Sequence, residues 1–245
     1  MEKYQIQICF LGLQKHYSAL KKLSKYKSKL FKVTKTVEIK YLPDTNYNWE
    51  YSDDIIVKLL KERNVSTQNC DLCLCFLDYP IQNNYFTRDL STFDEKTVLC
   101  SFHEVDSIFS EYEIDIFNYI HGIVLNELVQ LESLNKVNED YFLHDDRRNC
   151  LFDMCGLKTD IAMKYSKPCL CNECKNKLER FSIDKDFLPR ITKEFKKFKK
   201  PLFYIIKSFI KENPILSILI ATTSTIVINL FSSLIFNILN ELLGK

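Results

Sequence analysis

The chain has 245 residues, 46% of them hydrophobic, and a formal net charge of +2. That length holds one full domain and an appendage, and the near-neutral charge gives no electrostatic basis for nucleic-acid binding. Only four glycines occur, with neither G-x-x-x-x-G-K nor G-x-G-x-x-G, which excludes a glycine-rich phosphate loop of either kind.

The start, MEKYQIQICF, lacks the apolar run and small-residue cleavage site of a signal peptide. A reducing, cytosolic setting is therefore expected for the ten cysteines, where thiols serve as metal ligands or core residues more often than as disulfides. YQIQICFLG, aromatic and β-branched with a glycine stop, predicts a buried strand. KHYSALKKLSKYKSKLF predicts a helix, and KTVEIKYLP, alternating and ended by Pro43, a second strand. SDDIIVKLLKER opens with a Ser/Asp cap and carries apolar residues at helical spacing. CDLCLCFLDYPI, between Asn69 and Pro80, predicts a central strand, and KTVLCSFHEV another. A long helix follows, from about Glu113 to Leu134. Strands alternating with helices favour an α/β architecture with a mixed sheet.

Composition changes near residue 180, which divides the chain into a domain (1–180), a basic amphipathic segment (181–212) and an uncharged stretch (213–240). From Arg190 to Lys211 there are eight Lys/Arg and one acid, Glu194, with Ile191, Phe195, Phe198 and Leu202 at helical spacing. Such a helix lies in a membrane interface with its lysines on lipid phosphates; the alternative is a helix packed on the domain with a solvated basic face. Asn213 to Asn240 is 28 residues without a charge, long enough for one transmembrane helix. With the lysines before it, the positive-inside tendency puts the domain in the cytoplasm of a single-pass, tail-anchored protein of the cytoplasmic membrane, in contact with membrane lipid. Thr222, Thr225, Asn229 and Ser232 (with Asn240) fall near one face of this helix and suit assembly into a homo-oligomer. A lone anchor that tolerates Ser and Thr has the same pattern.

Cys150 and Cys155 form C-x4-C, and Cys171 and Cys174 form C-x2-C fifteen residues on. Two such pairs suit one tetrahedral structural Zn²⁺, with Cys169 and His144 as substitutes. Cys9, Cys70, Cys73, Cys75 and Cys100 lie on apolar strands and suit buried thiols instead. His144, Asp145, Asp146 and Arg147 sit beside the zinc loop; they form either a charged loop or a patch that recognises an unidentified protein or ligand.

On the long helix stands N-E-L-V-Q, residues 126 to 130. Zinc peptidases carry H-E-x-x-H on such a helix, but one Glu a few residues before an amide is also what an ordinary helix contains. The order of the strands, this helix, CLFDMC and CNECKNKL resembles the archaemetzincin-type metallopeptidases from about Ile6 to Leu178. The resemblance implies a metzincin-like mixed sheet with a long helix and a C-terminal subdomain whose zinc is bound by four cysteines. Carried over residue by residue, the two helix histidines fall on Asn126 and Gln130 and the general base on Glu127. The third ligand falls on Lys136 or Asn149, and the intervening glycine on Ser133. Asn and Gln are neutral donors and poor replacements for imidazole, so the resemblance implies that the structural zinc is kept and the catalytic zinc lost.

The function expected on these grounds is a catalytically inactive, membrane-anchored binding, sensor or effector module. Its layout is analogous to bacterial membrane-disrupting defence effectors. An active membrane-bound zinc peptidase with an atypical site is the alternative.

Overall fold

The computed structural model describes residues 2–45, 49–137, 140–145, 148–200, 202–242 and 244. These form two compact units, Met1–Lys199 and Lys200–Lys245.

The first unit is built on a five-stranded sheet. Its strands are β1 (Tyr4–Leu11), β2 (Phe31–Ile39), β3 (Leu72–Leu77), β4 (Thr87–Asp89) and β5 (Thr97–Ser101), in the order β2-β1-β3-β5-β4. The first four in that order pair in parallel, and β4 adds to β5 antiparallel, which makes the sheet mixed. Helices α1 (Tyr17–Ser24), α2 (Asp53–Glu62), α3 (Val105–Glu111) and α4 (Ile116–Leu134) cover it. Central β3 is buried along its whole length and reads LCLCFL without polar alternation, as a strand covered on both faces must. One face carries Ile6, Ile8, Phe10, Leu72, Leu74 and Phe76 against α1 and α4. The other carries Cys9, Leu11, Cys73, Cys75 and Leu77 against Ile56, Val57, Leu59 and Leu60 of α2.

Helix α4 runs through the core and is buried from Phe117 to Leu131. Asp115 caps it by accepting the Phe117 N–H, and Asn135 ends it in the left-handed conformation (φ 55°). Its one glycine, Gly122, is required by close approach: a Cβ there would stand 2.1 Å from Cδ1 of Tyr165. Tyr165 belongs to α5 (Ile161–Ser166), which is followed by α6 (Asn172–Leu178) and α7 (Phe187–Phe195).

Several elements differ from the sequence reading. The helix expected over 15–31 stops at Ser24, and β2 begins at Phe31 rather than near Lys35. The helix closes with the N–H groups of Lys25 and Tyr26 on the carbonyls of Lys22 and Leu23, and beyond it the buried Ser28 hydroxyl accepts the N–H groups of Leu30 and Phe31 and donates to Glu194, so local side-chain bonding holds 28–31 out of a helix. The three-residue edge strand β4 carries too short a pattern to be read from sequence.

The largest difference is at residue 180. The compact unit continues to Lys199, because Phe187, Ile191 and Phe198 are buried in the sheet's main core. The basic helix expected over 190–211 is two helices, α7 and, in the second unit, α8 (Leu202–Glu212). Its first half packs on the domain, the alternative that the lysine pattern left open.

The second unit consists of α8 and α9 (Pro214–Leu242). Residues Pro214–Phe236 of α9 are long and apolar enough to cross a membrane, and none of that stretch is buried. At 1.5 Å per residue its 23 residues are about 35 Å long.

Candidate functional site

Two groups of residues singled out by sequence lie within the first unit, and they differ in chemistry. The first is a sulfur and imidazole cluster. His144, Cys150, Cys171 and Cys174 bring one ligand atom each within 4.8 Å of one another. The chain reaches this arrangement through two short bridges, His144 with Asp153 and Cys150 with Cys169, which bring these residues together just before α6. Cys171 is the N-cap of α6, and its sulfur accepts the Cys174 N–H at 3.5 Å.

Distances and electrostatics in this cluster fit a tetrahedral metal. The Cys150 and Cys174 sulfurs are 3.7 Å apart. A Zn–S bond of about 2.3 Å gives a tetrahedral S···S edge of about 3.8 Å. The Cys150 thiol is pushed down to about 4, first by the Cys174 hydrogen bond and then, against burial, by backbone N–H groups of Cys171 and Phe152 and by His144. Cys174 moves the opposite way, since Cys150 takes its hydrogen bond and burial adds to the effect. A bound cation would remove that opposition by taking both as thiolates. His144 turns Nε2 toward Cys171 Sγ at 3.5 Å and Nδ1 toward the Asp153 carboxylate at 3.4 Å. This is the carboxylate–histidine arrangement that orients a metal-bound imidazole. Asp153 is itself held by the N–H groups of Arg148 and Cys150 at 2.9 and 3.0 Å. These four residues could hold a metal ion.

The fourth donor differs from the expected four-cysteine set. Cys155 lies outside the group, past the His144–Asp153 bridge, with its sulfur near the Asp153 carbonyl and lining the cleft described below. His144 stands where Cys155 was expected. Cys169, the other substitute, contacts the carbonyls of Arg148 and Asn149 instead. Of the expected recognition patch, His144 is in the cluster, Asp145 is exposed, and Asp146 and Arg147 lie outside the described residues.

The second group is the N-E-L-V-Q turn of α4. Asn126, Glu127 and Gln130 line a cleft of about 480 Å³ with β4, the 152–155 loop, Lys164 and Tyr165. All three are buried. Gln130 Nε2 donates to Asn126 Oδ1 at 2.6 Å, and Asn126 Nδ2 donates to the Leu151 carbonyl at 3.0 Å. The two amides are thus bonded to each other and to the metal-cluster loop. The charge of buried Glu127 adds to the burial that raises the Cys100 thiol and, with Cys155, the Tyr165 phenol. Among the described residues, no imidazole lines this cleft. His121, earlier on α4, stacks on Phe198 and faces Glu194 at 3.4 Å, in the core.

Sequence reading missed Arg88, Asp153 and Glu194. Arg88 of β4, at the cleft wall, is clamped by Asp53 at the start of α2 through bonds of 2.6 to 2.9 Å. Asp153 sits inside CLFDMC and was readable as a second acceptor next to the thiols. Nothing in the local sequence marks Glu194, the one acid among eight cations, as a core residue.

No protein-family model matches the chain, and no curated protein matches it. Among solved structures, the crystal structure of an archaemetzincin from Methanopyrus kandleri is similar over 73% of this chain and 94% of that one, with 15% identity and a TM-score of 0.46.

Proposed function

We propose that this chain is a membrane-anchored, metzincin-like domain that holds one structural zinc ion and binds an extended peptide segment in its cleft without cutting it. The observation that carries the reading is the Gln130–Asn126–Leu151 hydrogen-bond chain. Both amides at the expected ligand positions are committed to protein partners. A catalytic zinc needs about three good ligands and an open position for water. A buried carboxylate without such a metal has no polarised water to deprotonate.

The binding half of the proposal rests on the cleft wall. β4 is the edge strand of the sheet that lines the cleft, so a segment in extended conformation can add to its edge while its side chains enter the cleft. His144, Cys150, Cys171 and Cys174 would hold the zinc, which would supply the positive charge that lets their thiols ionise together. The Asp153 carboxylate, 3.4 Å from His144 Nδ1, is placed to orient the ring, and the backbone N–H groups of Cys171 and Cys174 point at sulfur. α9 is proposed as the single span, with the lysines of residues 193–211 on the cytoplasmic side.

The test uses the full-length protein in detergent with a library of unstructured peptides. Bound peptides should be recovered uncut and should protect Cys155, which lines the cleft, from alkylation. Glu127→Gln should leave that protection unchanged. Cleavage abolished both by Glu127→Gln and by chelation would overturn the proposal in favour of an active peptidase.

A further inference from the structure

On the opposite face of the sheet from the His144 cluster lies a second group of thiols. Strands β1 and β3 run parallel with Gln7 opposite Cys73 and Cys9 opposite Cys75, which puts all four side chains on the face covered by α2. The three sulfurs lie within 4.8 Å of one another, and Cys9 and Cys73 are 3.8 Å apart. All three cysteines are fully buried. Gln7, 2% exposed, is a polar side chain in this apolar layer, and its amide nitrogen points at the sulfurs of Cys9 and Cys73 at 3.6 and 3.8 Å. An amide donor aimed at two sulfurs is wasted on neutral thiols, which are weak acceptors, and is well used on thiolate. Cys70, close by in sequence, takes no part, since its S–H donates to the Thr67 carbonyl.

We infer that Cys9, Cys73 and Cys75 form a second metal site, three-coordinate and all-sulfur, that takes a monovalent thiophilic ion of the Cu(I) type. Soft sulfur ligands select such ions, whereas zinc takes four donors and the His144 cluster supplies four. A metal–sulfur bond of about 2.3 Å, as in zinc thiolates, places three planar sulfurs about 4.0 Å apart, inside the observed range. The fourth neighbour, Gln7, presents a donor and cannot ligate through it.

Cysteine binds a metal as thiolate, so on binding the S–H bonds of Cys9, Cys73 and Cys75 each break, a sulfur–metal bond forms in place of each, and three protons leave to solvent. No electron changes hands. Charge left on the sulfurs in an apolar layer is costly, and the Gln7 N–H groups, 3.6 and 3.8 Å from Cys9 and Cys73, are placed to offset part of it.

The experiment is a metal count on full-length protein, loaded with Cu(I) during expression and by anaerobic equilibration, then purified in detergent against bicinchoninate. Wild type should retain one copper per chain in addition to its zinc, with an X-ray absorption spectrum of three sulfur neighbours. Cys9→Ser should weaken copper retention at least ~100-fold and Gln7→Leu by ~10- to 100-fold, as for lost ligand-supporting contacts. Both should keep their zinc, which shows that they fold. If Cys9→Ser does not fold, Cys75→Ala carries the same expectation. Cys70→Ser, outside the three-sulfur group, should leave copper retention as in wild type. Wild type retaining no copper by either route, Cys9→Ser retaining as much as wild type, or copper entering only by displacing zinc would each overturn the inference.

Discussion

The His144–Cys150–Cys171–Cys174 cluster and the Asn126–Glu127–Gln130 turn sit on the two sides of one short loop, 150–155, and both gather polar side chains in a buried place. They teach opposite things. In the cluster, three sulfurs and an imidazole face one another with incompatible proton demands, Cys150 pushed down to about 4 and Cys174 pushed up. That conflict disappears when a cation is added. In the turn, an amide donor meets an amide acceptor at 2.6 Å and a second amide donor meets a carbonyl at 3.0 Å. That arrangement is complete with protein alone. Donor chemistry, not convergence, separates a metal site from a packed polar core.

Breaking the cluster should have the largest effect. Cys171→Ser, or stripping metal with a strong chelator, should abolish the cooperative thermal transition of the first unit. Binding free energy at a structural zinc is largely folding free energy, about 10 kcal/mol or more for small zinc domains. Circular dichroism melts with metal counted before and after would show it; an unchanged melt in metal-free protein would remove the cluster from the stability of the fold.

Next comes the identity of the fourth donor. His144→Ala should weaken zinc affinity by about 100-fold or more, and Asp153→Asn by about 10- to 100-fold, through loss of ligand orientation. Cys155→Ser should leave zinc content and affinity unchanged, because its sulfur faces the cleft. Zinc loss in Cys155→Ser with retention in His144→Ala would restore the four-cysteine set.

The turn is sharpened by supplying what it lacks. The double change Asn126→His with Gln130→His places two imidazoles one helical turn apart beside Glu127. It should add a second, weaker metal per chain and cost about 1–3 kcal/mol, since the Leu151 carbonyl loses its donor. If the double variant binds no second metal, more than donor chemistry is missing from the cleft.

Glu194 gives a third buried polar group for comparison, one that needs neither metal nor amide pairing. Burial opposes its charge, but His121, Lys197 and Ser28 outweigh that and hold it at about 2. The stability it contributes is present above the ordinary carboxylate range near ~4.3 and is lost as pH falls from there toward about 2. His121 is lowered by burial, against the pull of Glu194. Its contribution is complete above the ordinary histidine value of ~6.5 and is lost as pH falls below that. Acid should therefore destabilise the first unit in two steps, the upper one absent in His121→Gln. Glu194→Gln should cost about 2 kcal/mol at pH 7, a melting decrease of roughly 4–8 °C.

The smallest effect is expected in the second unit. Thr222 and Thr225 donate to the carbonyls of Ile218 and Ala221 at 2.5 and 2.9 Å, so their hydroxyls are satisfied within α9. The longer Asn229 amide carries two N–H donors and an acceptor, more than one backbone carbonyl can satisfy. Of the polar face, Asn229 is the residue that gains from a neighbouring helix, by ~0.6 to 2 kcal/mol. Asn229→Leu should weaken self-association in lipid by about 3- to 30-fold while leaving insertion intact. Crosslinking that shows equal assembly would make α9 an anchor only.

Composition and periodicity by themselves determined the elements that are long or strongly patterned. The buried strands around Ile8, Leu74 and Leu99, the helix after Ser52 (though the Ser52 side chain makes no capping bond), the long helix ending near Leu134 and the uncharged helix after Asn213 were all legible. Their side-chain patterns are local and repeat within each element. The C-x4-C and C-x2-C spacing also pointed to thiols that could hold a metal, and Cys150, Cys171 and Cys174 do come together, whereas Cys155 does not. What tertiary structure decided depends on partners distant in sequence. Ser28, at the turn into β2, is held in the core by Glu194, 166 residues later, which accepts its hydroxyl hydrogen bond. Phe187, Ile191 and Phe198 draw a lysine-rich segment into the domain because the core has room for them. His144, rather than Cys155, stands with the three sulfurs because its bridge to Asp153 holds it beside Cys150. The thiols of Cys9, Cys73 and Cys75 read as separate core residues until the parallel register of β1 and β3 sets them side by side. Pairing across strands is fixed by the whole sheet, and no window of sequence contains it.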